Sequence, residues 1–111
     1  MTDRHLRKLV REFRDGILDG RPAEMMCFAV CAPLQAYLAI CGIETRLVYA
    51  SLAEVNHVWL RLPDGRVLDP TADQFGLEAV YLGELPLAYA TRKARLRTAL
   101  AAAPDRPAGA E

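Results

Sequence analysis

The sequence predicts an α+β fold in which a buried helix in the N-terminal half packs on a small antiparallel sheet. Residues 23–41 are almost all Ala, Leu, Met, Tyr and other apolar types and end at Gly42. That composition suits a helix buried on most sides, with the glycine as its C-terminal cap. Residues 57–62 alternate instead: His57, Trp59 and Arg61 point one way, Val58, Leu60 and Leu62 the other. Pro63-Asp64-Gly65 follows as a turn, in which Pro63 presets φ and Gly65 takes the left-handed conformation that closes a three-residue hairpin loop.

From the beginning of the chain, residues from about Asp3 to Leu18 read as an amphipathic helix. Leu6, Leu9, Val10, Phe13, Ile17 and Leu18 fall on one stripe, with Arg4, Arg7, Lys8, Arg11 and Arg14 mostly away from it. Asp3 is the expected cap and His5 a surface residue; Asp19-Gly20-Arg21-Pro22 ends the helix. Pro33 interrupts the apolar helix that follows. Either the helix kinks there, or its regular part starts at Pro33 after a tighter first turn over 27–32. Residues 45–50 are β-rich and read as a strand, 51–54 as a loop, and Val80-Tyr81-Leu82 as a short strand before a turn at 83–86. Pro70 cannot donate to a ladder, so the chain leaves the sheet after Asp69. Residues 88–102 have helical composition, and a single domain over 1–103 precedes a flexible tail at 104–111.

The hairpin loop sets the register, and the register decides which side chains share a face. With Pro63, Asp64 and Gly65 in the loop, Leu62 faces Arg66, Leu60 faces Leu68 and Trp59 faces Asp69. Asp69 then lies diagonal to His57 within side-chain reach. A two-residue Asp-Gly turn would send the carboxylate to the opposite face. The apolar match of Leu60 with Leu68 selects the first arrangement. A histidine and an orienting acid therefore stand together, and a nucleophile would complete the set.

Composition narrows the classes of partner. The formal net charge is zero, so no field of one sign favours nucleic acid or a membrane surface. The basic run Arg92-Lys93-Ala94-Arg95-Leu96-Arg97 reads most simply as a solvated helix face. The uncharged run Met25–Ile43 is about long enough to span a bilayer, but Pro33, Gln35 and the strands that follow favour a buried helix. The three cysteines are an odd number, and Met1-Thr2-Asp3-Arg4-His5 carries no signal-peptide apolar core. The expectation is a reducing, cytoplasmic compartment with free thiols.

Cys41 sits at a helix C-terminus, where the dipole disfavours a thiolate, and reads as a small core residue. Cys27 lies near the helix N-terminus, where dipole and free backbone N–H groups lower a thiol's pKa. Cys31 follows one turn later and reads as inert core. A zinc site from Cys27, Cys31 and His57 would lack a fourth ligand and any close Cys-x-x-Cys pair, so no metal or other cofactor is expected.

Cys27, then Gly42-Ile43, a β segment, His57-x-Trp59, Asp64-Gly65 and Asp69-Pro70-Thr71 together resemble the catalytic core of the transglutaminase-like superfamily, relatives of the papain-like cysteine proteases. The resemblance spans about Met26 to Phe75. It implies a nucleophile helix on an antiparallel sheet, with Cys27 as nucleophile, His57 as general base and Asp69 as its orienter. The activity implied is acyl transfer through a thioester on an amide of a protein or peptide, as in deamidases, transglutaminases and amidases. Asn56 and Gln74 are candidate oxyanion donors, and Trp59 a cleft wall or core residue. Asp73, beyond the strand, reads as a helix cap. The alternatives are a leader peptidase for a small modified peptide and a non-catalytic binding module of the same fold. Met26, where the family usually has glycine, and Pro33 favour the module.

Overall fold

In the computed structural model, which describes residues 1–52 and 55–90 (of Val55 and Ala90 the backbone alone), helix α1 spans Asp3–Leu18. Its cap is Thr2 rather than Asp3: the Thr2 hydroxyl accepts from the His5 N–H at 3.1 Å. The helix begins at Asp3 itself, so the residue before it holds the capping position. The Asp3 carboxylate instead meets Arg66 of the hairpin, at 2.8 Å from Nη1. Asp19 ends the helix in the left-handed conformation. The buried stripe is Leu6, Val10 and Leu18, and it includes Arg14, whose charge pattern had placed it outside.

Helix α2 covers Cys27–Ile40, shorter than the expected 23–41 because Met25 adopts a positive φ of 64° that no helix continues through. The α-helix runs without interruption through Pro33. The Val30 N–H already bonds the Met26 carbonyl, an α-type bond, so the first turn is not the tighter one considered above. At the other end the Ile43 N–H reaches Leu38 O at 2.8 Å and the Gly42 N–H reaches Ala39 O at 3.0 Å. This is a Schellman motif, and Gly42 supplies its left-handed residue at φ 90°. The helix is buried on one side only: Val30, Cys31, Leu34 and Leu38 face inward while Phe28, Tyr37 and Ile40 are exposed. Apolar composition alone cannot tell a wrapped helix from one covered by a single sheet. Cys41 is exposed rather than core, because the inward stripe ends at Leu38.

Strands β1 (Arg46–Leu52), β2 (Val55–Arg61), β3 (Val67–Asp69) and β4 (Tyr81–Gly83) form one four-stranded sheet in the order β1-β2-β3-β4. Every neighbouring pair is antiparallel. Ser51 and Leu52, expected in a loop, extend β1 and pair with Asn56 and Val55; a partner strand lengthens what local propensity would end. The hairpin has the expected register, with Leu60 opposite Leu68 and Arg61 opposite Val67. Gly65 closes its loop at φ 93°, its N–H bonded to Leu62 O at 2.9 Å. A 3₁₀ turn (Ala72–Phe75) follows β3, and helix α3 spans Leu87–Ala90. The rest of the expected C-terminal helix, the basic run and the tail lie outside the described residues.

The sheet buries both faces. Against α1 and α2 it sets Val58, Leu60, Leu62, Leu68 and Leu82, packed on Leu6, Val10, Leu34 and Leu38. On the opposite face Val48, Ala50, Trp59 and Val67 pack on Tyr89, Phe75 and Leu77. Among the described residues no helix is long and apolar enough to cross a membrane.

Candidate active site

Strand β3 stops at Asp69 because Pro70 has no N–H to extend the ladder. The side chain of Asp69 takes over the turn. Its Oδ1 accepts the Thr71 N–H at 2.9 Å and lies 3.4 Å from the Thr71 hydroxyl, an Asx-type turn that fixes the carboxylate plane. Oδ2 meets His57 Nε2 at 2.6 Å. The Tyr89 hydroxyl donates to the same oxygen. His57, Asp69 and Thr71 have no exposed surface, so the carboxylate has protein donors where water would otherwise stand.

Aromatic rings enclose the imidazole. Phe75 meets it edge-on with centroids 4.6 Å apart, Tyr89 at 5.5 Å and Trp59 at 5.7 Å. Burial alone would push the His57 pKa down. The hydrogen bonds to Asp69 and to Cys27, with the charges of both partners, outweigh it and raise the group to about 9. With Nε2–H given to the carboxylate, Nδ1 is the nitrogen left for the hydrogen bond with Cys27. The amide Nε2 of Gln74 lies 3.4 Å from this Nδ1 and 3.2 Å from the Thr71 hydroxyl.

Cys27 opens α2 on the helical face of the sheet, whereas His57 belongs to the other face. They meet where β3 ends. Val58 pairs with Tyr49 of β1 but has no ladder partner in β3, which ends before Pro70, and the cysteines of α2 fill the gap: the Val58 N–H bonds the Cys27 sulfur, and its carbonyl accepts from the Cys31 thiol at 3.5 Å. Partial burial raises the pKa of Cys27. The hydrogen bond and charge of His57 and the N–H groups of Val58 and Phe28 reverse that, and the net direction is down. The thiol is half-buried and reaches solvent, while the imidazole beside it does not. Cys31 behaves oppositely. Burial, followed by the charges of Asp69 and Cys27, pushes its pKa well above the ordinary value. One helical turn separates an ionisable sulfur from an inert one.

The other residues singled out in the sequence divide. Gln74 joins the site. Trp59 lies in the core at 2% exposure, its ring tilted against Tyr89 with centroids 4.8 Å apart, and is not a cleft wall. Asn56 is exposed and its amide oxygen accepts from the Ser51 hydroxyl at 3.0 Å, so its described bond crosses the strand pair instead of reaching the thiol. Asp73 caps no helix; it pairs with Arg14 Nη2 at 3.2 Å and ties the 3₁₀ turn to α1. Tyr89, Phe75, Thr71 and Arg14 also support the site and were not among the residues expected there. The Asp-Pro-Thr string signals the Asx turn and could have pointed to Thr71, but nothing local marks Tyr89, which is 20 residues from Asp69. Among the described residues, no group of three or more His, Cys, Asp or Glu is arranged to hold a metal ion. Compared with known protein families, with curated proteins and with solved structures, the chain matches none.

Proposed function

We propose that this chain is a cysteine-dependent acyl-transfer enzyme of transglutaminase-like type, acting through a thioester on an amide of a protein or peptide. The observation that carries the reading is a half-exposed thiol paired with a buried histidine whose other nitrogen is held at 2.6 Å by a buried carboxylate. Ordinary core cysteines have no such partners. The unbroken helix through Pro33 removes one of the two features that favoured a non-catalytic module.

The chemistry follows from the proton positions. His57 Nδ1 takes the Cys27 proton, and the thiolate attacks the amide carbonyl carbon. The oxyanion formed is met by the Cys27 N–H, which opens the helix and has no acceptor within it, and by the Gln74 amide, whose hydrogen at Nδ1 is released once Nδ1 carries the thiol proton. The imidazolium returns its proton to the leaving ammonia or amine as the carbon–nitrogen bond breaks. Water or a lysine amine, deprotonated by the same imidazole, then releases the acyl group from sulfur. Asp69 holds the tautomer that turns the unprotonated Nδ1 toward the thiol and steadies the imidazolium that forms.

Iodoacetamide alkylation of the intact protein across pH, with the modified residue located by mass spectrometry, tests the reading. Cys27 is expected to react well below pH 8 and ahead of the exposed Cys41. Alkylation of Cys27 only as an ordinary thiol, near about pH 8.5, overturns it.

A further inference from the structure

We propose that Tyr89 is a positioning residue for proton transfer between Cys27 and His57: its phenol donates to the same Asp69 oxygen that holds His57 Nε2, and so sets how strongly the carboxylate grips the imidazole. The inference rests on the acyl-transfer reading for its catalytic meaning. Its effect on His57 is measurable without turnover.

The geometry makes the phenol a competitor as well as a support. Asp69 Oδ1 is occupied by Thr71, so both remaining donors, His57 Nε2 and the Tyr89 hydroxyl, converge on Oδ2. Each donor draws electron density from the oxygen and weakens its attraction for the other. With Asp69 buried, the charge has no solvent over which to spread. A phenol that donates firmly leaves the imidazolium less tightly bound, so it releases its proton to a leaving amine more readily. A missing phenol leaves the imidazolium as the sole donor to Oδ2 and traps the proton on it.

Packing shows that the hydroxyl is held there rather than merely near. Tyr89 is fully buried, its ring lies on Trp59 at 4.8 Å and beside Phe75 at 5.6 Å, and its N–H is anchored on Pro86 O at 2.9 Å. Burial, then the Asp69 charge, raises its own pKa strongly, so the phenol stays a donor across the working range. The titratable groups facing this cluster are Asp69 from β3, Cys27 and Cys31 from α2, and Tyr81 from β4. The 3₁₀ turn brings Gln74 and Phe75, which do not titrate, and Asp73, which is paired with Arg14.

The test is an NMR titration of the imidazole of His57, one of only two histidines in the chain, the other being the exposed His5. Tyr89→Phe keeps the ring and removes the donor; the His57 midpoint should rise by roughly half a pH unit, about a threefold change in proton affinity. Should that variant fail to fold, 3-fluorotyrosine at position 89 keeps the oxygen, makes it a stronger donor and should move the midpoint down. In an Asp69→Ala background neither change should move it, because the shared oxygen is gone. A folded Tyr89→Phe or fluorotyrosine protein with an unmoved midpoint overturns the inference and reduces Tyr89 to packing. Failure of Cys27 to alkylate at low pH, with the midpoint moving as expected, overturns the acyl-transfer reading and leaves the Tyr89–Asp69–His57 coupling standing.

Discussion

Against α1 and α2 the sheet presents Val58, Leu60, Leu62, Leu68 and Leu82; against the 3₁₀ turn and α3 it presents His57, Trp59 and Asp69. Both sets are buried, yet they meet different requirements. Aliphatic side chains on the helical face need only volume and exclusion of water, and many combinations satisfy that. On the other face a carboxylate and an imidazole are buried together, which is costly unless every lone pair and proton is matched. There Thr71, Tyr89 and the enclosing rings are specified by contact rather than by hydrophobicity. One face holds the domain together, and the other spends some of that stability on a charged pair. Cys27 stands at the break in β3 where the two faces communicate.

Substitution of Cys27 should produce the largest functional effect. Cys27→Ala is expected to abolish fast alkylation and any amidase turnover, a loss beyond about 10³-fold, with a melting temperature close to that of the parent. Cys31→Ala, one turn away, should retain labelling at position 27. Peptide mapping after alkylation separates the two, and labelling that follows Cys31 would break the distinction between them.

Asp69→Asn comes next and sharpens the contrast on the polar face. Thiolate and imidazolium partly sustain each other, so the loss should be roughly 10- to 10³-fold, less than in serine proteases. Circular dichroism and a thermal melt must show the fold retained. A folded variant at the parental rate would reduce Asp69 to a turn residue.

For the helical face the expectation is reversed. Leu60→Ala should cost about 2–5 kcal/mol of stability, the range for a fully buried leucine, while alkylation per folded molecule stays near the parental rate. Urea denaturation gives the first quantity and labelling in native buffer the second. A large change in thiol reactivity would show that the two faces are not separable.

The smallest effect concerns pH. His57 has a raised folded pKa, so its contribution to stability is whole below about 6.5 and is lost as pH rises through about 9. Cys27 is shifted down, so its contribution is present above 9.0, the free thiol's value, and is lost as pH falls through the folded pKa. Between these limits the slopes oppose each other: the folded pair keeps its proton on nitrogen, and the unfolded chain keeps one on sulfur. The parent should therefore lose less stability across this window than the His57 shift alone would cause. Cys27→Ala removes the offset and should lose stability steadily as pH rises. Urea midpoints at about pH 6, 7.5 and 9 for both proteins decide it, and parallel curves would mean that the thiol and imidazole do not share a proton.

Residue pattern by itself determined a good deal of this protein. The alternation of 57–62, the Pro63-Asp64-Gly65 loop and the match of Leu60 with Leu68 are short-range facts, and they sufficed to bring His57 and Asp69 to one face. Gly42 ended α2 as expected for the same reason, since a Schellman cap is written within a few residues. The sequence did not reveal how many sides of α2 are covered, because apolar composition states a tolerance for burial rather than the partner that supplies it. Nor did it reveal the burial of Arg14, the pairing of Asp73, or the arrival of Tyr89 at Asp69. Those depend on contacts between residues far apart in the chain, which no local period encodes. Only the tertiary structure decided how Cys27, on the helical side of the sheet, comes beside His57 on the other: β3 ends at Asp69, Pro70 offers Val58 no ladder partner, and the sulfur of Cys27 occupies the opening.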